Sequence, residues 1–262
     1  MKKILALLIA VLMVATMLAS CGMKKSDVEN VKDAGKLVVG VTVYEPMDYI
    51  DPNTNEWAGF DAELAKQFAE SLGVSCQLVI ITWDNKVAEL NSNQIDLVWN
   101  GMTASDELGE KIDFSVSYAK NAQVAVVKKG STLTSADVSK STISVEKGSA
   151  GATVAEETIK GTKINKVVAQ VDALNEVLAG TSQVAIVDIT MAQSIVGKGT
   201  YADLQILEGA SYGDEIFAVG LRKGSDLKPE LDAFLKAKYA DGTLTALAEK
   251  YSVGLNTDAL SK

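Results

Sequence analysis

Apolar runs alternate with amphipathic stretches through most of the chain. Residues 36–43, 76–81 and 95–99 are short, almost uninterrupted apolar runs, as expected for strands that are buried on both faces. Between the first two runs, residues 60–72 carry an apolar side chain at every fourth position, which predicts a helix, and Gly73 follows its end. This alternation is typical of βαβ units and predicts mainly parallel sheets.

The same alternation begins again after residue 122. A helix end, a polar turn and a strand that starts after Gln occur at 90–98 and, in similar form, at 178–187. We therefore predict an α/β fold of two similar lobes, followed by two helices, 229–239 and 244–251, that return to the first lobe. The strands predicted for the second lobe are residues 123–128, 142–145, 166–169 and 184–187.

The first twenty residues differ from the rest of the chain. Two lysines precede an apolar run over residues 4–17, and Leu-Ala-Ser precedes Cys21. The run is shorter than the ~20 apolar residues of a membrane span. The order of features predicts a secretory signal peptide, residues 1–20, and it resembles the lipobox of bacterial lipoproteins, in which the Cys is lipidated. The alternative for this segment is an uncleaved signal anchor, or a Cys that stands at position 21 by chance. Residues 21–35 are polar and are predicted to be a tether.

The composition limits the chemistry that the chain can perform. The protein has 25 Lys and Arg residues against 34 Asp and Glu residues, which disfavours nucleic acid and anionic lipid surfaces as partners. It has no His, so Ser-His and Cys-His catalysis are excluded and the commonest transition-metal ligand is missing. With Cys21 modified, Cys76 is a lone thiol, predicted to be a small core residue, and no intramolecular disulfide is possible. We expect no metal and no cofactor.

Aromatic and polar residues follow directly after the predicted strands. In open α/β sheets, ligands bind beyond the carboxyl ends of the strands. The set contains two aromatic rings, several hydroxyl or glycine residues and a carboxylate, which suits a small polar ligand with a cationic group. Its members are Tyr44, Trp83, Asp84, Asn100, Gly101, Met102, Thr103, residues 146–151 and Asp188.

Several segments together resemble a known family. They follow one another in the family's order from about residue 36 to residue 251, and the chain is similar to extracellular solute-binding proteins of the polar amino-acid type, the receptors of ATP-driven importers. The segments are GKLVVGVTVYEPM, WAGFDAELAKQFAESLGV, TWDNKVAELNSNQIDLVWNGMTAS, KIDFS, VEKGSAG, VAIVD and FAVGLRKGSDLKPELDAFLKAKYADGTLTALAEKY.

The resemblance implies a two-lobed, periplasmic-binding-protein-like fold of type II. Two crossing strands join the lobes, and the ligand cleft between the lobes closes by hinge motion. The first lobe is expected to comprise residues 36–122 and 213–262, and the second residues 123–212. The resemblance also implies a monomer that is held outside the cell membrane by its lipid. Such a protein delivers an amino acid or related amine-bearing solute to an ABC permease and its ATPase without a catalytic step. Two alternatives are a catalytic relative similar to cyclohexadienyl dehydratase and an extracellular sensory module.

The resemblance further implies roles for individual residues. Tyr44 and Trp83 match rings that sandwich the ligand's side chain, although packing at the lobe edge is the alternative for both. Asp188 matches the carboxylate that binds the α-amine, a role compatible with capping the next helix. The loop that supplies backbone and hydroxyl hydrogen bonds corresponds to Asn100, Gly101, Met102 and Thr103, and the helix start that holds the α-carboxylate corresponds to Ser149 and Ala150.

Leu108 departs from the family pattern. The family has an Arg at this position that makes a paired contact with the ligand carboxylate, and the usual Thr of the second-lobe anion site is Ala150 here. The chain's single Arg is Arg222, in a segment that is a surface turn in the family. Three explanations are open: Lys111 or Lys147 supplies a point charge, the helix-start amides hold the carboxylate alone, or the ligand has no free α-carboxylate.

Overall fold

A computed structural model describes residues 25–262, which form two lobes built on two five-stranded sheets. The predicted signal peptide, residues 1–20, and the predicted lipidation site, Cys21, lie outside the described residues. Within residues 25–262, no helix has both the length and the apolar character that crossing a membrane requires.

Twelve strands occur in the described part of the chain. They are β1 (Lys36–Val41), β2 (Tyr49–Ile50), β3 (Trp57–Ala58), β4 (Ser75–Ile80), β5 (Leu97–Val98), β6 (Asp113–Phe114), β7 (Ala119–Lys128), β8 (Thr142–Glu146), β9 (Lys163–Val167), β10 (Val184–Asp188), β11 (Leu204–Phe217) and β12 (Gly220–Leu221). The first sheet has the order β4-β1-β5-β12-β6, the second has the order β11-β7-β10-β8-β9, and β2 pairs with β3.

Each large sheet is parallel in one half and antiparallel in the other. The parallel halves are β4-β1-β5 and β10-β8-β9, where the sequence predicted βαβ units. The chain passes between the sheets twice, from β6 into β7 and from β11 into β12, and the strands at these crossings pair antiparallel. This architecture is the two-lobed type II fold that the sequence predicted.

The helices cover the faces of the two sheets. They are α1 (Asp27–Ala34), α2 (Phe60–Ser71), α3 (Lys86–Asn91), α4 (Asp106–Lys111), α5 (Ala150–Thr153), α6 (Gln170–Ala179), α7 (Ile189–Ile195), α8 (Leu227–Ala240), α9 (Thr243–Tyr251) and α10 (Thr257–Leu260). The short 3₁₀ segment Trp83–Asn85 precedes α3, and α5 continues as the π-helical segment Val154–Thr158.

Helix α1 lies in the segment that was predicted to be a tether. Ser26 caps it in a reciprocal arrangement with Glu29, which satisfies two backbone amides that the first turn leaves without partners. Arg222, expected on a surface turn, is largely buried and bonds Asp27 of α1 at 3.0 Å and Asp96 at 3.3 Å. The helix is therefore fixed to the first lobe.

The C-terminal helices pack on the first lobe. The ring centroids of Phe234 in α8 and Phe68 in α2 lie 5.3 Å apart, and the hydroxyl of Tyr251 in α9 donates to Glu63 of α2. Cys76 is partly buried against the same core, and burial raises the pKa of its thiol to about 11. These contacts hold the first sheet in place beneath the cleft.

Candidate functional site

A cavity of about 610 Å³ lies between the two lobes, beyond the carboxyl ends of the parallel strands. All ten predicted ligand-binding residues line it, so the structure brings together residues that are up to 144 positions apart, from Tyr44 to Asp188 (188 − 44). That each of them contacts a ligand stays a prediction. The cavity is also lined by polar residues that the sequence did not point to, among them Lys86, Gln123, Gln170 and Glu215.

Tyr44 and Trp83 are both buried walls of the cavity. The Tyr44 ring packs so closely on Gly101 that a Cβ at this glycine would lie 2.7 Å from the ring. Burial raises the pKa of the Tyr44 hydroxyl well above its usual value, and the nearby charge of Asp188 adds to this shift. The hydroxyl is buried near Asp188 without a hydrogen bond of ordinary geometry, and it stays neutral at physiological pH.

The loop after β5 owes its shape to buried hydrogen bonds. The Asn100 side chain donates to Asp48 at 2.7 Å and accepts from the amide of Thr42 at 3.0 Å. The Gly101 amide donates to Asp61 at 2.7 Å. Because these groups are already paired, Asn100 and the Gly101 amide support the loop and do not offer donors to the cavity.

Thr103 supplies a hydroxyl group from this loop to the cavity wall that contains Glu215. Its Oγ1 donates to Oε2 of Glu215 at 2.9 Å. The same oxygen accepts from the amide groups of Asn121 and Gln123, at 2.9 and 3.0 Å. Glu215 is thus held by one hydroxyl and two amides.

Asp188 lies beside Glu215 and shares two of its hydrogen-bond donors. Its Oδ1 accepts from Asn121 at 2.5 Å and from Gln123 at 2.6 Å, and Gln170 donates to Oδ2. Burial, followed by the charge of Glu215, raises the pKa of Asp188 to about 6, and the three amide donors oppose the shift. Within residues 25–262, neither carboxylate has a Lys or Arg nitrogen within 4.0 Å.

Glu146 is a third carboxyl group of the cavity. Its side chain is 2% exposed, and its Oε1 has no hydrogen-bond partner among the described residues. Burial, with a contribution from the Asp188 charge, raises the pKa of Glu146 to about 8, although Lys86 opposes the shift. At neutral pH this carboxyl group is therefore mostly protonated.

Lys86 brings a buried ammonium group to the cavity wall. The residue is 4% exposed, and its Nζ donates to the carbonyl oxygen of Gly148 at 2.9 Å and to that of Trp83 at 3.2 Å. It also lies 4.7 Å from the centroid of the Trp83 ring, a cation–π distance. Burial lowers the pKa of Lys86 to about 8.

Lys111 and Lys147, the two lysines that could replace the missing Arg, are more exposed than Lys86. Lys111 bonds Glu107 one helical turn away, at 2.7 Å, and Lys147 bonds Asp84 at 2.9 Å. Leu108 packs in the apolar cluster that contains Trp83. The Lys147–Asp84 pair and the Lys86–Gly148 hydrogen bond both connect the first lobe to the second.

The start of α5 forms the second-lobe wall. Ser149 caps this helix: its Oγ accepts from the amide of Ala152 at 3.1 Å and donates to the carbonyl of Glu146 at 2.8 Å. The amides of Ala150 and Gly151 have no acceptor within the helix, as is usual in a first turn, and both residues line the cavity. No group of three or more Cys, Asp or Glu residues within the described chain is arranged to hold a metal ion.

Residues 37–254 match the family of bacterial extracellular solute-binding proteins, family 3. The chain belongs to this family. Among its family 3 relatives, the L-cystine-binding protein TcyJ of Escherichia coli is 31% identical over 92% of this chain and 92% of its own length. The arginine-binding extracellular protein ArtP of Bacillus subtilis is 30% identical over 97% of this chain and 99% of its own.

A solved structure agrees with the family assignment. The crystal structure of a mutant of ArgBP from T. maritima matches with a TM-score of 0.80 and 29% identity, and the match covers 86% of this chain and 98% of that one. The relatives of this family 3 protein are named as binding proteins, which agrees with a cavity whose polar groups are arranged for binding between two lobes.

Proposed function

We propose that this family 3 protein binds an amino acid or a related amine-bearing solute between its lobes and delivers it to an ABC permease and its ATPase. The Asp188–Glu215 pair carries the proposal. Two neighbouring carboxylates that share amide donors and have no cationic partner within 4.0 Å among residues 25–262 form a site for a positively charged nitrogen.

The electrostatics favour an amine at this place. Charge-assisted hydrogen bonds contribute about 1.5–3 kcal/mol each, and a cation between the two carboxylates relieves the repulsion that helps to raise the pKa of Asp188. The names of TcyJ and ArtP describe proteins that bind cystine and arginine, and both of these solutes carry an α-amine. Tyr44 and Trp83 are the aromatic walls for the remainder of the solute.

The location of the protein follows from the same proposal. An amine receptor of this family works outside the cytoplasmic membrane, and a lipid on Cys21 would hold it there. We propose that it acts as a monomer and performs no catalytic step. Uptake of a radiolabelled solute by cells with and without the gene tests delivery to a permease.

Replacement of Asp188 tests the amine site. The panel consists of the twenty protein amino acids and L-cystine, screened by thermal shift because a bound ligand raises the melting temperature with its concentration. For each ligand found, Asp188→Asn is expected to weaken binding by about tenfold or more, measured by calorimetry. Asp106→Asn, an exposed carboxylate outside the cavity, is the matched control and leaves the affinity unchanged. Equal affinities for Asp188→Asn and the wild type contradict the proposal.

A further inference from the structure

The cavity lacks the Arg that the family resemblance implies at position 108 of the first lobe. Leu108 is apolar and packs beside Trp83. The side chains of Lys111 and Lys147 are 50% and 62% exposed, and each is already paired with a carboxylate. A ligand carboxylate therefore needs another partner, or the ligand has no carboxylate.

Lys86 has the position and the free hydrogen-bonding capacity for this role. An ammonium group has three N–H donors, and two of them are directed to the carbonyl oxygens of Trp83 and Gly148. Lys86 lines the cavity, so its third donor is available to a ligand. It lies one hydrogen bond from the loop that begins α5, where the amides of Ala150 and Gly151 line the same wall.

The charges around Lys86 leave its ammonium group without a salt bridge. The groups that face it are Glu146, Asp84 and Glu107, which favour the charged form, and Lys111, which opposes it. None of these carboxylates lies within 4.0 Å of Nζ. Burial of an unpaired ammonium is costly, and an anionic partner offsets that cost. Glu146 is mostly neutral at pH 7, so it repels an incoming carboxylate only weakly.

We propose that Lys86 binds a carboxylate of the ligand and replaces the Arg that is missing at position 108. This inference rests on the proposed function and makes it more specific. The solute is an amino acid with a free carboxylate, whose amine lies at Asp188 and Glu215 and whose carboxylate lies between Lys86 and the start of α5. Amines and amidated amino acids are then poor ligands.

The test compares ligands that differ in the carboxylate alone. Every amino acid found in the panel is titrated beside its decarboxylated amine, such as agmatine for L-arginine, histamine for L-histidine or cystamine for L-cystine. The wild type is expected to bind the amino acid at least about tenfold more tightly than the amine. Lys86→Met is expected to abolish this difference by weakening binding of the amino acid alone, whereas Asp188→Asn weakens binding of both members of a pair.

Lys111→Met is the matched control, because Lys111 also lines the cavity but is paired with Glu107. It is expected to preserve the preference for the amino acid. Melting temperatures and circular dichroism spectra without ligand show whether each variant folds. If Lys86→Met does not fold, Lys86→Gln takes its place.

The outcomes separate the two proposals. If the wild type binds the amine as tightly as the amino acid, or if Lys86→Met retains the preference, Lys86 is not the carboxylate ligand, while the amine site stands. If amines bind but no amino acid of the panel does, the role of Lys86 fails and the amine site stands. If neither the amino acids nor the amines bind, the proposed function fails, and the role of Lys86 fails with it.

Proton uptake on binding distinguishes a lysine that binds the ligand carboxylate from one with a structural role alone. A bound carboxylate raises the pKa of Lys86 from about 8, so near pH 8 this group should contribute up to about half a proton to the net uptake that accompanies binding of the amino acid. Calorimetry in two buffers of different ionisation enthalpy measures this uptake. In Lys86→Met it should decrease by that amount, and an unchanged value overturns the proposal.

Discussion

The charge of each carboxyl group in the cavity depends on its own burial and hydrogen bonds, as Glu146 and Asp188 show. The Glu146 carboxyl group is buried with one oxygen unpartnered, and its pKa is raised to about 8 because burial disfavours the ionised form. Asp188 is equally buried, but three amide donors stabilise its ionised form and limit its pKa to about 6. Two carboxyl groups of one cavity thus differ in charge at neutral pH.

Replacement of Glu146 by Gln should remove a pH dependence of stability. Glu146 has a usual pKa near 4.5 and a folded-state pKa of about 8, so between these values the folded protein holds a proton that the unfolded chain has lost. Stability of the wild type should therefore fall as pH rises from 5 to 8, by up to about 1.4 kcal/mol per pH unit from this group. Urea unfolding of both proteins at several pH values measures the difference.

The Gln variant should lack this contribution, so its stability relative to the wild type should rise with pH over the same interval. Its affinity for an amino acid at pH 6 to 7 should change little, because a neutral carboxyl group is replaced by a neutral amide. Parallel stability curves for the two proteins would show that Glu146 is ionised in the folded state.

Sequence position was a good guide to those site residues that follow strands. Tyr44, Trp83 and Asp188 were found because a parallel strand directs the next residues towards the ligand edge of its sheet. Lys86 was missed because a lysine on a short helix is usually solvated, and its burial depends on Gly148 of the other lobe. Glu215 was missed because its position beside Asp188 is set by a strand pairing between distant segments.

At the scale of elements, the loop after β5 is held by a buried carboxylate pair. Asp61 of α2 accepts from the Gly101 amide at 2.7 Å and from the Tyr118 hydroxyl at 2.8 Å. Burial raises the pKa of Asp61 to about 7, and burial with the charge of Asp61 raises that of Asp48 well above its usual value. The helix thereby positions the loop on which part of the cavity wall depends.

Asp61→Ala should destabilise the protein by about 2–4 kcal/mol. The change leaves the Gly101 amide and the Tyr118 hydroxyl without an acceptor in a buried region, where each unsatisfied group costs about 1–3 kcal/mol. Chemical denaturation monitored by tryptophan fluorescence measures the loss. Asp258→Ala, an exposed carboxylate in the first turn of α10, is the control and should change stability by less than about 0.5 kcal/mol. A loss for Asp61→Ala as small as that of the control would mean that the loop finds other partners.

Elements with a clear apolar pattern were predicted well, and elements without one were not. Helix α2 was recognised because Phe60, Leu64 and Phe68 repeat at helical spacing. Most of strand β11 was not predicted, because it lies at the edge of its sheet and exposes many polar positions. Helix α1 has no clear apolar pattern in the sequence, because it buries little apolar surface and is fixed by its cap and by Arg222.

At the scale of the whole molecule, the two lobes are in close contact at Gly148 and Asp84. Gly148 has a φ of +72°, and a Cβ at this residue would lie 2.6 Å from Oδ1 and 3.0 Å from Cα of Asp84. The absence of a side chain is therefore a condition for this arrangement of the lobes. The Lys147–Asp84 salt bridge lies at the same place.

Gly148→Ala should weaken ligand binding by more than about tenfold, because the added methyl group keeps the lobes apart and an open cleft contacts the ligand on fewer sides. Calorimetry gives the affinity, and small-angle X-ray scattering gives the radius of gyration with saturating ligand, which should be larger than in the wild type. Gly130→Ala is a matched control, because Gly130 has a φ of +77° but no atom within 4 Å of an added Cβ. Both variants share a backbone strain of about 1–2 kcal/mol, so equal affinities would contradict the steric argument.

The attachment of α1 to the first lobe has a mechanical consequence. Arg222 and Asp226 both bond this helix, so a force applied at residue 25 would be transmitted to the first lobe alone. The second lobe and the crossing strands then carry no load. A lipid on Cys21 would therefore restrain the position of the first lobe without opposing a hinge motion of the second lobe.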